Sequence, residues 1–262
     1  MIGSAKIIAS CAWKARQLSG GLGQALAFAI QGRSKPEHPF PFTFDKLHFV
    51  ARWRDWPGVE EVMIGREYAF IDQLLNRQKP VIVDLGANIG AFSLYVFSLC
   101  PEAVVHALEP SAATFQLLAK NADLNGGLRW HCARYAAWRD DTTVRFANAA
   151  SSTGSHVSEA EGDEAVPTLG LASVLARVGS PFVDLMKIDI EGSEEAFLVG
   201  QEALLARIGA IIIEIHPNRC RAENVVRTLR GAFPYLYRIP GRQSAKPLIL
   251  ACRTPYDGLP AF

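Results

Sequence analysis

Two acids and two glycines in this chain are spaced to do chemistry. Asp84, Gly86 and Gly90 stand in the run Val-Ile-Val-Asp-Leu-Gly-Ala-Asn-Ile-Gly over residues 81–90, and Glu109 follows the apolar run Val104–Leu108. Glycines let the backbone approach a ligand closely, and a helix start after the second glycine offers unpaired N–H groups. A triphosphate loop needs a Lys and then a Ser or Thr after that glycine, and neither is present. A dinucleotide turn is spaced G-x-G-x-x-G, whereas the spacing here is G-x-x-x-G. A carboxylate two places before the first glycine repels a pyrophosphate and attracts a cation. S-adenosylmethionine carries an ammonium and a sulfonium and suits that acid. Glu109, at the end of the next strand, is placed to accept both hydroxyls of a ribose.

A second group stands at later strand ends. Side chains alternate along a strand, so Lys187, Asp189 and Glu191 share one face, as do Glu214 and His216. If the two strands are neighbours, Lys187 pairs with Glu214 inside the sheet, because a lone buried charge is costly. Asp189 and His216 then meet at the rim. His216, with an ordinary pKa near neutrality, is the expected general base, and Asp189 orients it or binds the methyl acceptor. A divalent ion on Asp189, Glu191 and His216 is the weaker alternative, since hard-cation sites gather more oxygen ligands, and the expectation is no metal.

These residues need a βαβ scaffold. Val81–Val83 is β-branched and suits a strand buried on both faces. Phe92, Leu94, Tyr95, Val96 and Leu99 have helical spacing, so strand, glycine turn and helix follow in order. The pattern repeats: a helix over 111–125 with Ser111 as N-cap, a strand over 129–134, then Tyr135–Trp138 where a nucleotide base would lie. Thr142–Asn148 reads as a short extra strand and Ala149–Val166 as a surface loop that covers substrate. Further helices are expected over 169–178, 194–207 and 221–231, with strands over 183–190 and 210–215. Tyr235–Ile239 and Leu248–Cys252 close the sheet as an antiparallel pair. Upstream, residues 1–35 read as helices broken at Ser19-Gly20-Gly21, and Ser34–Pro41 as a linker. Phe42–Phe44 and Leu47–Trp53 form a hairpin, and Glu60–Arg77 a helix. Arg52, Arg54 and Asp55 are either a solvated strand end or part of a lid over the cleft. Residues 1–60 are taken as an N-terminal extension and 61–262 as the cofactor-binding domain.

Composition narrows the class. The 262 residues are 49% hydrophobic and 20% charged, with a formal net charge of +1, normal for one large α/β domain and no basis for a nucleic-acid partner. Five scattered cysteines without a C-x-x-C pair point to a reducing compartment, hence a cytoplasmic location. The uncharged stretch Leu18–Ile30 is too short to span a bilayer. It reads as a helix packed on its own domain, on a second copy as a homo-oligomer contact, or on a membrane surface.

The blocks DLGANIG (84–90), ALEPS (107–111), DLMKIDIEGSE (184–194) and IEIHP (213–217), with Arg-Glu-Tyr at 66–68, resemble the FkbM-type methyltransferases. The resemblance covers about residues 50–252, and the Lys-Ile-Asp-Ile-Glu-Gly block is its most specific part. It implies a Rossmann-like class I methyltransferase fold, a seven-stranded sheet with six parallel strands and a last antiparallel one. It implies an S-adenosylmethionine-dependent enzyme that methylates a hydroxyl of a small molecule such as a sugar, a polyketide or another secondary metabolite. Carried over, the cofactor is held by Tyr68, Asp84, Gly86, Ala87, Asn88, Gly90, Glu109, Pro110, Ser111 and Ala136. One departure is Arg134-Tyr135-Ala136-Ala137, where the family usually has an Asn-Ala-Ala-like stretch. The competing readings are a non-catalytic cofactor-binding partner subunit and a metal-assisted O-methyltransferase; a dinucleotide oxidoreductase and an RNA methylase are weaker.

Overall fold

The computed structural model describes residues 2–75, 78–147, 156–158, 162, 164–240 and 246–262. Two helices, α1 (Ile2–Ala15) and α2 (Leu22–Ser34), precede a hairpin of β1 (Phe40–Phe44) and β2 (Leu47–Ala51) and a one-turn helix α3 (Trp56–Val59). The central elements are β3 (Val81–Leu85), α4 (Ala91–Leu99), β4 (Val104–Leu108), α5 (Ala112–Leu124) and β5 (Arg129–Ala133). Then come short strands β6 (Ala136–Ala137), β7 (Thr143–Ala147), β8 (His156–Ser158) and β9 (Glu164–Leu169), and helix α6 (Leu171–Val178). The chain returns through β10 (Val183–Ile188), α7 (Glu194–Leu198), α8 (Glu202–Leu205), β11 (Ile208–Glu214), α9 (Ala222–Ala232), β12 (Tyr235–Arg238) and β13 (Leu248–Cys252).

The main sheet has seven strands in the order β12-β13-β11-β10-β3-β4-β5. Only β13 runs against the others, pairing antiparallel with β11 and β12. Alternation explains the near-continuous apolar strands. Ile82 of β3 and Ile212 of β11 join the core on one face, while Val83, Leu85, Ile211 and Ile213 join the core on the other. A strand covered on both sides needs apolar residues at both parities. The reversal of order between β3 and β10 opens a crevice at the strand ends, the place where such sheets bind ligands. A smaller sheet, β6-β9-β7-β8, stands beside it.

The N-terminal elements share the first of these cores. Phe28 of α2 is fully buried, with ring centroids 5.1 Å from Phe42 and 4.9 Å from Trp56. The other face of α2 exposes Leu22, Leu26 and Ile30. Buried Asn121 of α5 ties this layer to the glycine turn: it bonds the backbone of Val50 at 2.7 and 3.1 Å and the Ile89 carbonyl at 2.8 Å. Among the described residues no helix is long and apolar enough to cross a membrane.

Several expected elements differ. The helix over 60–77 is two short segments, a π-turn at Glu60–Ile64 and a 3₁₀ stretch at Ala69–Leu75, parted at Arg66 with φ 51°. The helix over 194–207 breaks at Gly200 (φ 83°) into α7 and α8. The expected loop over 149–166 contains β8 and the start of β9; residues 149–155, 159–161 and 163 lie outside the described residues. Arg52 and Asp55 are no solvated strand end. They form a buried pair at 2.9 Å, and Arg52 also reaches Thr114 at 3.1 Å.

Candidate active site

The first half of the site is built by β3 and β4. After Leu85 the chain turns through three left-handed residues, Gly86 (φ 70°), Asn88 (φ 53°) and Gly90 (φ 92°), and enters α4. Gly86 is required by space as well as by its dihedral, because a Cβ there would lie 1.8 Å from the Asp189 carbonyl oxygen. Glu109 follows β4. Its Oε2 accepts the Asn88 N–H at 2.9 Å and its Oε1 the Ser111 N–H at 3.0 Å. Burial outweighs those bonds and pushes its carboxyl up to about 7.

A cleft opens above this turn. Of the residues expected to hold the cofactor, its wall includes Tyr68, Gly86, Ala87, Asn88, Glu109, Pro110 and Ala136. Ser111 and Gly90 stand behind the wall, Gly90 packed so closely that a Cβ would meet the Trp130 ring at 2.4 Å. Asp84 also lies behind it, fully buried, accepting the Ser93 hydroxyl at 2.7 Å, with Lys187 Nζ at 3.4 Å. The register of β3 and β10 sets Lys187 beside Asp84. Lys187 is on the cleft wall, between Asp84 and the open space. Its ammonium donates to the Gly86 carbonyl at 2.8 Å, which braces the turn.

The second half is built by β10 and β11. Lys187 stands opposite Ile212, not Glu214, so the expected Lys187–Glu214 pair gives way to Lys187 with Asp84 and, at 3.8 Å, with Asp189. Asp189 and Glu191 reach the cleft wall. Glu191 has φ 50° and Gly192 φ 109°, and a Cβ on Gly192 would lie 2.5 Å from that of Arg219. This tight turn fixes where the two acids point. Burial, then the neighbouring Asp189, pushes Glu191 up to about 7, and burial raises Asp189 too.

His216 lies behind these acids, 1% exposed and off the cleft wall. Its Nδ1 is 2.9 Å from Glu194 Oε1, and its Nε2 is 3.2 Å from Glu191 Oε2 and 3.4 Å from Glu214 Oε1. Burial acts to lower its pKa, but the carboxylates of Glu194 and Glu214 beside the ring outweigh it and push the imidazole up to about 10. The structure sets the expected general base behind the two acids, with carboxylates beside both ring nitrogens.

Sequence reasoning missed part of the wall. Of the stretch Tyr135–Trp138, Tyr135, Ala136 and Ala137 line the cleft and Trp138 does not; Phe146 and Val157 join them from the small sheet, and Val59, Val62 and Phe92 from elsewhere. Alternation in Val144–Phe146 marks a strand, yet nothing in the chain marks which cleft it faces.

The methyltransferase FkbM domain matches residues 84–236. The chain is similar to the 31-O-demethyl-FK506 methyltransferase FkbM of Streptomyces tacrolimicus, with 30% identity over 192 residues, 59% of this chain and 72% of that protein. It is similar to the hexuronic acid methyltransferase AglP of Haloferax volcanii, with 27% identity over 178 residues, 67% of this chain and 70% of that protein. Among solved structures, the precorrin-6y C5,15-methyltransferase of Geobacter metallireducens superposes with a TM-score of 0.44 at 16% identity, over 71% of this chain and 86% of that one.

Proposed function

Because the chain belongs to the FkbM methyltransferase family, we propose that it transfers a methyl group from S-adenosylmethionine to a hydroxyl oxygen of a small molecule, a sugar, polyketide or similar secondary metabolite. The observation that carries this reading is a single cleft with Glu109 and the Gly86 turn on one side and Asp189 and Glu191 on the other. The donor fits the first side. Gly86, Ala87 and Asn88 of the turn line the cleft, and Glu109, anchored by two backbone N–H groups, keeps lone pairs for ribose hydroxyls. Tyr68 and Tyr135–Ala137 supply apolar wall for a base. The bound donor supplies an already activated methyl group.

The chain's own residues then bind, align and deprotonate. Alignment of the acceptor oxygen can supply about 7–11 kcal/mol, and a general base about 10²–10⁴-fold in rate. Asp189 binds the acceptor hydroxyl, and Glu191, the other carboxylate on that wall, takes its proton. His216, held by Glu194, positions Glu191 from behind. The sugar and polyketide classes follow the relatives, whose names include a hexuronic acid and an FK506 methyltransferase. The test is direct: purified protein with labelled S-adenosylmethionine and a panel of sugars and polyketide alcohols, read by mass spectrometry. A product heavier by one methyl on oxygen is expected. Binding of the cofactor with no transfer to any acceptor, and no slow formation of S-adenosylhomocysteine, would favour a non-catalytic subunit.

A further inference from the structure

We propose that Asp189, Glu214 and His216 form a divalent-cation site at the acceptor side of the cleft. The proposal rests on the methyl-transfer reading for its role, though not for its existence. One donor atom from each of these three residues lies within 4.8 Å of the other two. They come from adjacent parallel strands: Asp189 just beyond β10, Glu214 at the end of β11 and His216 two residues on. Ligands at about 2.1 Å from a shared ion lie at most about 4.2 Å apart, so a small inward shift closes the site.

A cluster of acids alone is common on protein surfaces, but the imidazole is a separate observation. His216 is 1% exposed, and its Nε2 makes no hydrogen bond, although carboxylate oxygens of Glu191 and Glu214 stand 3.2 and 3.4 Å away. At those distances a missing bond means misaligned geometry, with the nitrogen not pointed at either oxygen. A buried Asp189 oxygen, Oδ1, is likewise without a hydrogen bond. On the far side of the ring, Nδ1 meets Glu194 Oε1 at 2.9 Å, and Glu194 is fully buried. A histidine whose second nitrogen is held by a carboxylate is the usual outer support of a metal ligand. One imidazole with two carboxylates suits Mn²⁺ or a similar divalent ion. The ion takes the place of the proton on Nε2. Two lysines offer competing charge: Lys187, 3.8 Å from Asp189, and Lys246, 3.5 Å from Glu214 and 3.6 Å from Glu191, the latter exposed enough to turn away.

The ion would take the acceptor hydroxyl oxygen as a further ligand and make it more acidic. The hydroxyl proton passes to Glu191. The new O–C bond forms as the S–C bond of the donor breaks, and the sulfonium charge disappears as neutral thioether leaves.

The experiment uses the full chain, stripped with EDTA and desalted, titrated with Mn²⁺ while free Mn²⁺ is followed by electron paramagnetic resonance. One tight site per chain is expected. Asp189→Asn and His216→Ala should each weaken it about tenfold or more, and Glu194→Gln by about 10–100-fold. Circular dichroism checks the fold, and Asp189→Asn, at the half-exposed edge of the site, covers the case in which His216→Ala does not fold. Lys246→Ala should bind Mn²⁺ no more weakly than wild type. The site is overturned if wild type takes up no Mn²⁺, or if both ligand variants bind it unchanged. Calorimetry with S-adenosylmethionine separates the two readings: Mn²⁺ uptake without cofactor binding sinks the methyl-transfer reading alone, and cofactor binding without Mn²⁺ uptake sinks the cation site alone.

Discussion

The two halves of the cleft handle buried carboxylates in opposite ways. On the β3–β4 side, Glu109 is held by backbone: two N–H groups of the chain that surrounds it, Asn88 and Ser111, point at its two oxygens. On the β10–β11 side, Asp189, Glu191, Glu194, Glu214 and His216 face one another and the side chains of Lys187, Arg219 and Lys246, with one backbone N–H, that of Gly192, on Glu194 and atoms of Asp189, Glu194 and His216 left without hydrogen bonds. Backbone donors are fixed by the fold, so the first half is preorganised before any ligand arrives. Buried polar atoms left unpaired cost free energy, about 1–3 kcal/mol each, unless something else satisfies them. Among the described residues three such atoms gather on this side, against Asp84 Oδ1 on the other.

The sharpest way to test this division is to neutralise Glu191. If the second half does chemistry and the first half binds, Glu191→Gln should lower kcat by about 10²–10⁴-fold while the calorimetric affinity for S-adenosylmethionine stays the same. A variant that keeps more than about half the wild-type rate would remove proton transfer from Glu191. A variant that loses cofactor affinity as well would erase the division.

Gly86→Ala should break the comparison instead of sharpening it. The added methyl cannot avoid the Asp189 carbonyl, 1.8 Å away, and the left-handed dihedral disfavours it further. If Gly86 carries the cofactor turn and Asp189 the acceptor side, as proposed, affinity and rate should fall together, each by about tenfold for every 1.4 kcal/mol of strain passed on. Loss of only one would show that the two halves are less tightly joined than their contact implies. Next in size is Glu109→Ala. Removing a charged hydrogen-bond partner costs about 1.5–3 kcal/mol, so cofactor affinity should drop by about tenfold or more, with kcat at saturating cofactor little changed.

The same contrast decides how much was legible in the sequence. The β3 turn was readable because strand, glycine spacing and following acid are local and because Gly86 and Gly90 announce left-handed backbone. The sheet was readable because Ile208–Glu214 and its neighbours are apolar at both parities, which only a doubly covered strand requires. The second half was readable as a set of strand-end residues but not as a geometry. Alternation placed Lys187 and Glu214 on faces, yet the pairing of Lys187 with Asp84 depends on a register between strands about a hundred residues apart. Whether His216 faces the cleft or lies behind it depends on the Asp189–Gly192 turn and on Glu194, which the sequence presents as an ordinary helix start. The breaks at Arg66 and Gly200 were missed because apolar spacing continues across them.

The smallest effect is the most specific to the first half. Burial pushes the Glu109 carboxyl up to about 7. Its charged form accepts the ribose hydroxyls better than its protonated form, which has one oxygen occupied by hydrogen. Above pH 7 the carboxylate is present and affinity is full. Below pH 7 a proton must leave before the hydroxyls can bind in full, so affinity should fall, by at most about tenfold per unit. Lys187, beside the turn, is pushed upward by Asp84 against its burial and stays charged through this window. The measurement is a calorimetric titration with S-adenosylhomocysteine, the reaction product, from about pH 8 down to about pH 5.5. Glu109→Gln should give weak and nearly flat affinity over the same range. If the slope survives in that variant, the titrating group is elsewhere, and the backbone-held carboxylate is not the ribose-binding acid.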